Sequence, residues 1–285
     1  MSLIRFARKS RREQAQVVRM KVRRLLLNLG WRIPHVGNDR TTYVIGLFGS
    51  GRWYINETLL RYLGERAYYF RDDILFHPGP TSMIYSGHAT IKYLSCFQHS
   101  PAVTSRILEA VRSGSADLIF VYRHPLDSLL TNWIWWRRYI RDNRVSTIAS
   151  QVHKNTEELC EDLERNFSGF KAFAEGSRDF FGAMPDPIFL SFPEFVEETE
   201  LFVEAATLTL RLEDCGTDPL KEFSKIVDVM SVSLDLRHLQ VVPPRAKPYG
   251  YLAVKERVPR FGDFISSLDP LTKERIEKIG YPVIE

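Results

Sequence analysis

Cysteine is scarce in this chain, with three thiols among 285 residues, at Cys96, Cys160 and Cys215. An odd number without CxxC spacing argues against a disulfide framework and a zinc ribbon, and for a reducing compartment. The seven histidines never fall in HxxxH spacing, so no metal is expected. Long apolar runs are missing too: nothing approaches the roughly 20 residues needed to cross a bilayer, and the N-terminus lacks a signal-peptide core. Acids are nearly absent from residues 1–40, which hold eleven Lys and Arg against Glu13 and Asp39. The head therefore carries +9, and since the whole chain carries +4, the remainder is net −5. The expectation is a cytoplasmic protein, peripheral at a membrane surface if the head binds lipid.

That head patterns as an amphipathic helix from about Arg11 to Asn28, with Val17, Val18, Met20, Val22, Leu25, Leu26 and Leu27 between the arginines. Three readings stand: a helix packed on the domain, one lying on anionic lipid through residues 5–28, or a nucleic-acid arm. No basic–aromatic pattern accompanies the charge, so no nucleic-acid partner is expected. The organisation read here is a basic helical appendage over residues 1–40 and one domain over 41–285.

At 44% hydrophobic and 26% charged, that domain has the composition of an ordinary folded core. Apolar runs alternate with helical patterns, which predicts an α/β fold with a central, mainly parallel sheet flanked by helices. Strands are expected at Thr42–Phe48, Arg66–Phe70, Ser82–Ser86, Asp117–Tyr122 and Pro187–Ser191. Helices are expected near Trp53–Leu63, Pro101–Arg112, Pro125–Arg141, Thr156–Glu175, Pro193–Leu210 and Pro270–Ile279. Ser100-Pro101 and His124-Pro125 are helix-start signals.

The first strand runs into Gly46-Leu47-Phe48-Gly49-Ser50-Gly51-Arg52-Trp53 and then a helical pattern. A strand feeding a glycine turn and a helix N-terminus builds an anion site, because backbone N–H groups and the helix dipole converge there. Gly46 and Gly51 have the spacing of a triphosphate loop, but Arg52 and Trp53 stand where Lys and Ser or Thr belong. Trp cannot ligate Mg²⁺, which weighs against an ATP-dependent kinase. A second candidate follows the run Leu118–Tyr122, where Arg123 ends the strand and Thr131 lies two turns into the next helix. Either both reach one anion, or Arg123 pairs with Asp127 and Thr131 bonds back to its own helix.

Together the two stretches resemble the sulfotransferases that use 3′-phosphoadenosine 5′-phosphosulfate (PAPS). The family motif PKSGTTW aligns without gaps on Phe48-Gly49-Ser50-Gly51-Arg52-Trp53-Tyr54, followed by Ile55-Asn56-Glu57-Thr58-Leu59. Its second motif, R-x-P-x-D with a Ser eight residues after the Arg, aligns on Arg123, Pro125, Asp127 and Thr131. His88, in Ser86-Gly87-His88-Ala89, occupies the slot of the family's catalytic His. Phe192 stands at the adenine-side Tyr, and Arg257-Val258-Pro259-Arg260-Phe261-Gly262-Asp263-Phe264 echoes the 3′-phosphate motif RKGxxGDW. Two departures stand out. The family's loop Lys falls on Gly49, and the C-terminal motif lacks its Lys-Gly.

The resemblance implies a P-loop-like sulfotransferase architecture and metal-free, in-line sulfuryl transfer from PAPS to a hydroxyl. Gly49, Ser50, Gly51, Arg52, Trp53 and Tyr54 would hold the 5′-phosphosulfate; Arg123, Thr131 and Arg257 the 3′-phosphate; Trp53 and Phe192 the adenine. His88 would be the general base, with Arg52 replacing the loop lysine or serving only as an electrostatic helper. Trp133, Trp135 and Trp136 form a sugar platform or core packing, and the cationic, aromatic stretch Val241–Tyr251 a substrate lid or a surface connection. A carbohydrate or glycolipid acceptor is expected. A kinase-like nucleotide enzyme and a non-catalytic membrane-surface protein with a residual nucleotide site stay open.

Overall fold

A computed structural model describes residues 41–47, 49–51, 55, 67–71, 91–95, 101–142, 156–176, 190–229 and 250–283. Several expectations lie outside these residues: the basic head, the strand Ser82–Ser86, Arg52, Trp53, Tyr54, His88, Cys96 and most of the proposed lid. Of the helix expected over Trp53–Leu63, only Ile55 is described, and it is helical and buried.

Among the described residues, five strands form one sheet: β1 (Thr41–Ile45), β2 (Ala67–Arg71), β3 (Ile91–Ser95), β4 (Ala116–Tyr122) and β5 (Leu208–Arg211). Their spatial order is β2-β3-β1-β4-β5, and all four pairings are parallel. The fold is α/β. Every residue of β4 is buried, so Leu118, Ile119, Phe120 and Val121 form a continuous apolar run rather than an alternating one. From central β1 the chain leaves towards β2 at one edge; from adjacent β4 it leaves towards β5 at the other. Neighbouring strands whose connections depart in opposite directions open a crevice at their carboxyl ends. Both sequence motifs begin there.

Ten helices are described: α1 (Pro101–Arg112), α2 (Pro125–Asp142), α3 (Thr156–Arg165), α4 (Phe167–Ala174), α5 (Phe192–Ala205), α6 (Leu212–Thr217), α7 (Pro219–Val229), α8 (Tyr251–Arg257), α9 (Pro259–Ser266) and α10 (Pro270–Lys278). Many open on proline, whose missing N–H costs nothing in the first turn. Asp269 caps α10 by accepting the Thr272 N–H at 2.9 Å. None of the described helices is long and apolar enough to cross a membrane.

Phe120 of β4 stacks on Phe202 of α5 with centroids 5.0 Å apart. A second aromatic group joins α2, α4 and α9, with Phe170 meeting Trp133, Phe261 and Phe264 at 5.7, 5.8 and 5.4 Å. Trp133 is fully buried and its indole N–H donates to Asp162 of α3 at 2.9 Å. It serves as core packing, not as a sugar platform. Cys160 and Cys215 are buried free thiols, and burial pushes Cys215 up to about 12.

Two expectations need correction, and one motif gains its local structure. The run Leu208–Arg211 is strand β5 beside β4, not the end of a helix reaching Leu210; α5 stops at Ala205 because Ala206 turns extended. No Gly or Pro marks that break. Leu190 and Ser191 are not strand, and Ile91–Ser95 is a strand that the sequence reading passed over. The Arg257–Phe264 motif is a helix, a break at Val258 and a second helix, since Pro259 disfavours a helical residue before it.

Candidate anion-binding site

Parallel register pairs Ile45 of β1 with Phe120 of β4, so the two strands run out side by side. After β1, the chain turns sharply, with the Ser50 N–H donating to the Leu47 carbonyl at 3.1 Å. Gly49 and Gly51 take φ of 82° and 78°. Both glycines are required by space as well as by dihedral. A Cβ on Gly49 would lie 2.7 Å from Asn132 Oδ1 and 2.8 Å from the Ser128 carbonyl oxygen, both on α2. A Cβ on Gly51 would overlap the Leu212 side chain of α6. The turn is thus pressed between two helices. Position 49, where the resembled family carries Lys, has no room here for any side chain.

Arg123 leaves the end of β4 buried, with 2% of its surface exposed. Its guanidinium donates to the Gly49 carbonyl at 3.4 Å and to the Asp127 backbone carbonyl at 3.1 Å. The cation therefore faces the glycine turn. Thr131 lies two turns along α2, and its hydroxyl, shielded from solvent, makes no hydrogen bond. Thr199 and Thr217 each bond back to the carbonyl four residues earlier, as helical threonines commonly do. Thr131 does not. The Ser50 hydroxyl is likewise buried without a partner, whereas its backbone N–H is spent inside the turn. Buried hydroxyls are normally satisfied, so Ser50 and Thr131, one in each motif, stand out as polar groups without a structural partner.

The Asp127 carboxylate does a different job from the one its motif suggests. It accepts the Tyr251 N–H at 2.9 Å and so ties the start of α8 to the start of α2. Burial raises it from the usual 3.8 to about 7, against the pull of Arg123 and the Tyr251 N–H. His124 is pushed the other way, from 6.5 to about 4, chiefly by burial. Its Nδ1 accepts the Leu126 N–H at 3.2 Å, which leaves Nε2 to donate to the Pro282 carbonyl at 3.3 Å. His124 is a neutral structural imidazole.

The structure brings Arg123 to the Gly49 carbonyl, and Ser128 and Asn132 of α2, the helix that carries Thr131, press on the same glycine. It does not bring Phe192 there, which is 2% exposed with its ring 6.2 Å from that of Phe264. Apolar packing has claimed the face expected to meet a base, so Phe192 is a core residue. Arg257 is exposed at the far end of α8, about 9 Å along the helix from the Asp127 tie. No described contact joins it to Arg123. The sequence reading missed Asn132, Leu212 and Glu213. Asn132 had a signal in being polar on an apolar helix next to Thr131, whereas the other two had none.

No family model and no curated protein matches this chain. Among solved structures, the fold is similar to mouse sulfotransferase SULT7A1 crystallised with PAP, at 13% identity, 86% coverage of this chain and 84% of that one, with a TM-score of 0.41. A likeness at that score fixes no chemistry.

Replacing Gly49 by Ala should lower unfolding free energy by about 2–4 kcal/mol in urea denaturation, from strain and collision combined. Gly216→Ala in α6, with nothing within 4 Å of the new methyl, should be neutral or mildly stabilising. Equal losses would show that the turn is not tightly held. Asp127 has a second consequence. Between pH 3.8 and about 7 the folded chain holds its proton more tightly than the unfolded chain, so its contribution to stability falls as pH rises. Asp127→Asn removes that fall and can still accept from Tyr251. Its stability relative to wild type should climb by about 2–4 kcal/mol from pH 4 to 7. Parallel pH profiles would contradict the raised carboxyl.

Proposed function

We propose that this protein is a sulfotransferase that moves the sulfuryl group of PAPS onto a hydroxyl acceptor, a carbohydrate or glycolipid. The observation that supports the reading is the buried Arg123 guanidinium, 3.4 Å from the Gly49 carbonyl, with one buried, unpartnered hydroxyl in each motif, at Ser50 and Thr131. A doubly phosphorylated adenosine needs two anion grips on one recess, and the two motifs that resemble the family's grips abut at the crevice between β1 and β4. Arg123 and Thr131 hold the 3′-phosphate. Ser50, Arg52 and the amides after Gly51 hold the 5′ side, with Trp53 and Tyr54 beside the nucleoside.

The donor supplies an activated sulfuryl group and a phosphate leaving group. The chain's own contribution is positioning and charge: cations and fixed dipoles set where negative charge grows as the acceptor oxygen attacks in line. His88 takes the acceptor proton, for which an imidazole near pKa 6.5 suits neutral pH. The basic head, +9 over 40 residues, fits an acceptor presented at an anionic membrane.

Adenosine 3′,5′-bisphosphate should raise the melting temperature by several degrees, 5′-AMP clearly less, and ATP with Mg²⁺ no more than without it. Equal shifts for the bisphosphate and 5′-AMP would remove the second grip. His88→Ala should cut turnover by about a hundredfold or more while leaving bisphosphate affinity intact. Retained turnover would free His88 from its assigned role.

A further inference from the structure

The turn that delivers Arg123 is gripped from behind by residues that touch neither glycine loop nor recess. Glu213, at the start of α6, accepts the His124 backbone N–H at 3.1 Å with one oxygen and the Tyr281 hydroxyl at 2.8 Å with the other. The Pro282 carbonyl accepts from His124 Nε2 at 3.3 Å and from the Tyr251 hydroxyl at 3.1 Å. The His124 ring sits between those of Tyr251 and Tyr281, with centroids 4.2 and 5.0 Å away. Arg211 of β5 lies over the Tyr281 ring at 5.0 Å and donates to the Tyr122 hydroxyl at 3.3 Å. That hydroxyl in turn donates to the Ile279 carbonyl at 3.3 Å. Gly280, at φ 87°, lets the backbone pass Arg211 so closely that a Cβ would strike its guanidinium. The segment after α10 is thereby strapped across the back of the Arg123-His124 turn.

We infer that Glu213 and the Tyr281-Pro282 strap are positioning residues that aim the Arg123 guanidinium at the anion recess and so set selectivity for a ligand carrying a second phosphate. His124 follows Arg123 directly, and its amide, its Nε2 and its ring are committed to this brace. Rotation of the turn would carry the guanidinium away from the Gly49 carbonyl. A long side chain that must meet phosphate in a forked geometry tolerates little such rotation. The inference rests on Arg123 gripping one phosphate of the ligand proposed above.

The test measures dissociation constants of adenosine 3′,5′-bisphosphate and 5′-AMP, with melting temperatures, on the full chain. Wild type should prefer the bisphosphate. Tyr281→Phe, which keeps the ring but loses the bond to Glu213, and Glu213→Ala should each shrink that preference by about tenfold with little change for 5′-AMP. Glu213→Gln, whose amide can accept from His124 and still meet Tyr281, should keep it. If Glu213 acted only through its negative charge, Gln and Ala would behave alike, and the inference would fall. A lowered melting temperature with the preference unchanged in both Tyr281→Phe and Glu213→Ala would also overturn it. A wild-type protein without any preference would instead overturn the reading of Arg123 beneath it.

Discussion

The adjacency of β1 and β4 in parallel register is the constraint on which the site depends. The two strands, locked from Thr41 opposite Ala116 to Ile45 opposite Phe120, run out side by side and release a glycine turn and an arginine within hydrogen-bond reach. Apolar burial of Val44, Ile45, Leu118, Ile119 and Phe120 fixes that register. A one-residue slip would reverse the faces of β4 and swing Arg123 off the crevice. The polar site is thus placed by a hydrophobic pairing.

Burying a guanidinium is costly unless its charge is met. Arg123 meets two carbonyl dipoles, and Asp127 lies near enough to feel its charge. Yet burial holds Asp127 near pH 7, so at neutral pH it supplies only part of a countercharge. Under the proposed function, a phosphate of the donor would add its charge to that of the groups already facing Arg123.

How far the sequence could be read follows from which signals were local. Helices α1, α2 and α10 announce themselves through proline starts and amphipathic spacing, and β4 through an unbroken apolar run between a helix end and Arg123. The glycine turn and Arg123 were legible because each carries its own local chemistry. β5 was not: Leu208–Arg211 becomes a strand only because β4 offers it an edge, and nothing at Ala205-Ala206 punctuates the chain. Phe192 was misplaced for the opposite reason. An aromatic residue can serve a base or a core equally well, and which it does depends on Phe264, distant in sequence. The brace formed by Glu213 and Tyr281 joins residues 68 positions apart and had no local trace.

The missing loop lysine follows the same logic. At φ 82°, with α2 pressed against the turn, position 49 admits no Cβ, so a cation cannot be mounted on the glycine itself. Positive charge has to arrive from another element. Arg123 already stands at the Gly49 carbonyl, brought by β4 rather than by the loop, and Arg52 lies just beyond the second glycine in sequence. A guanidinium anchored at the end of a strand is a planar fork of fixed direction rather than a mobile point charge. A fork of fixed direction is useful only if its base does not rotate. In this fold the base is the turn between β4 and α2, held from behind by Glu213, Tyr251 and the strap after α10.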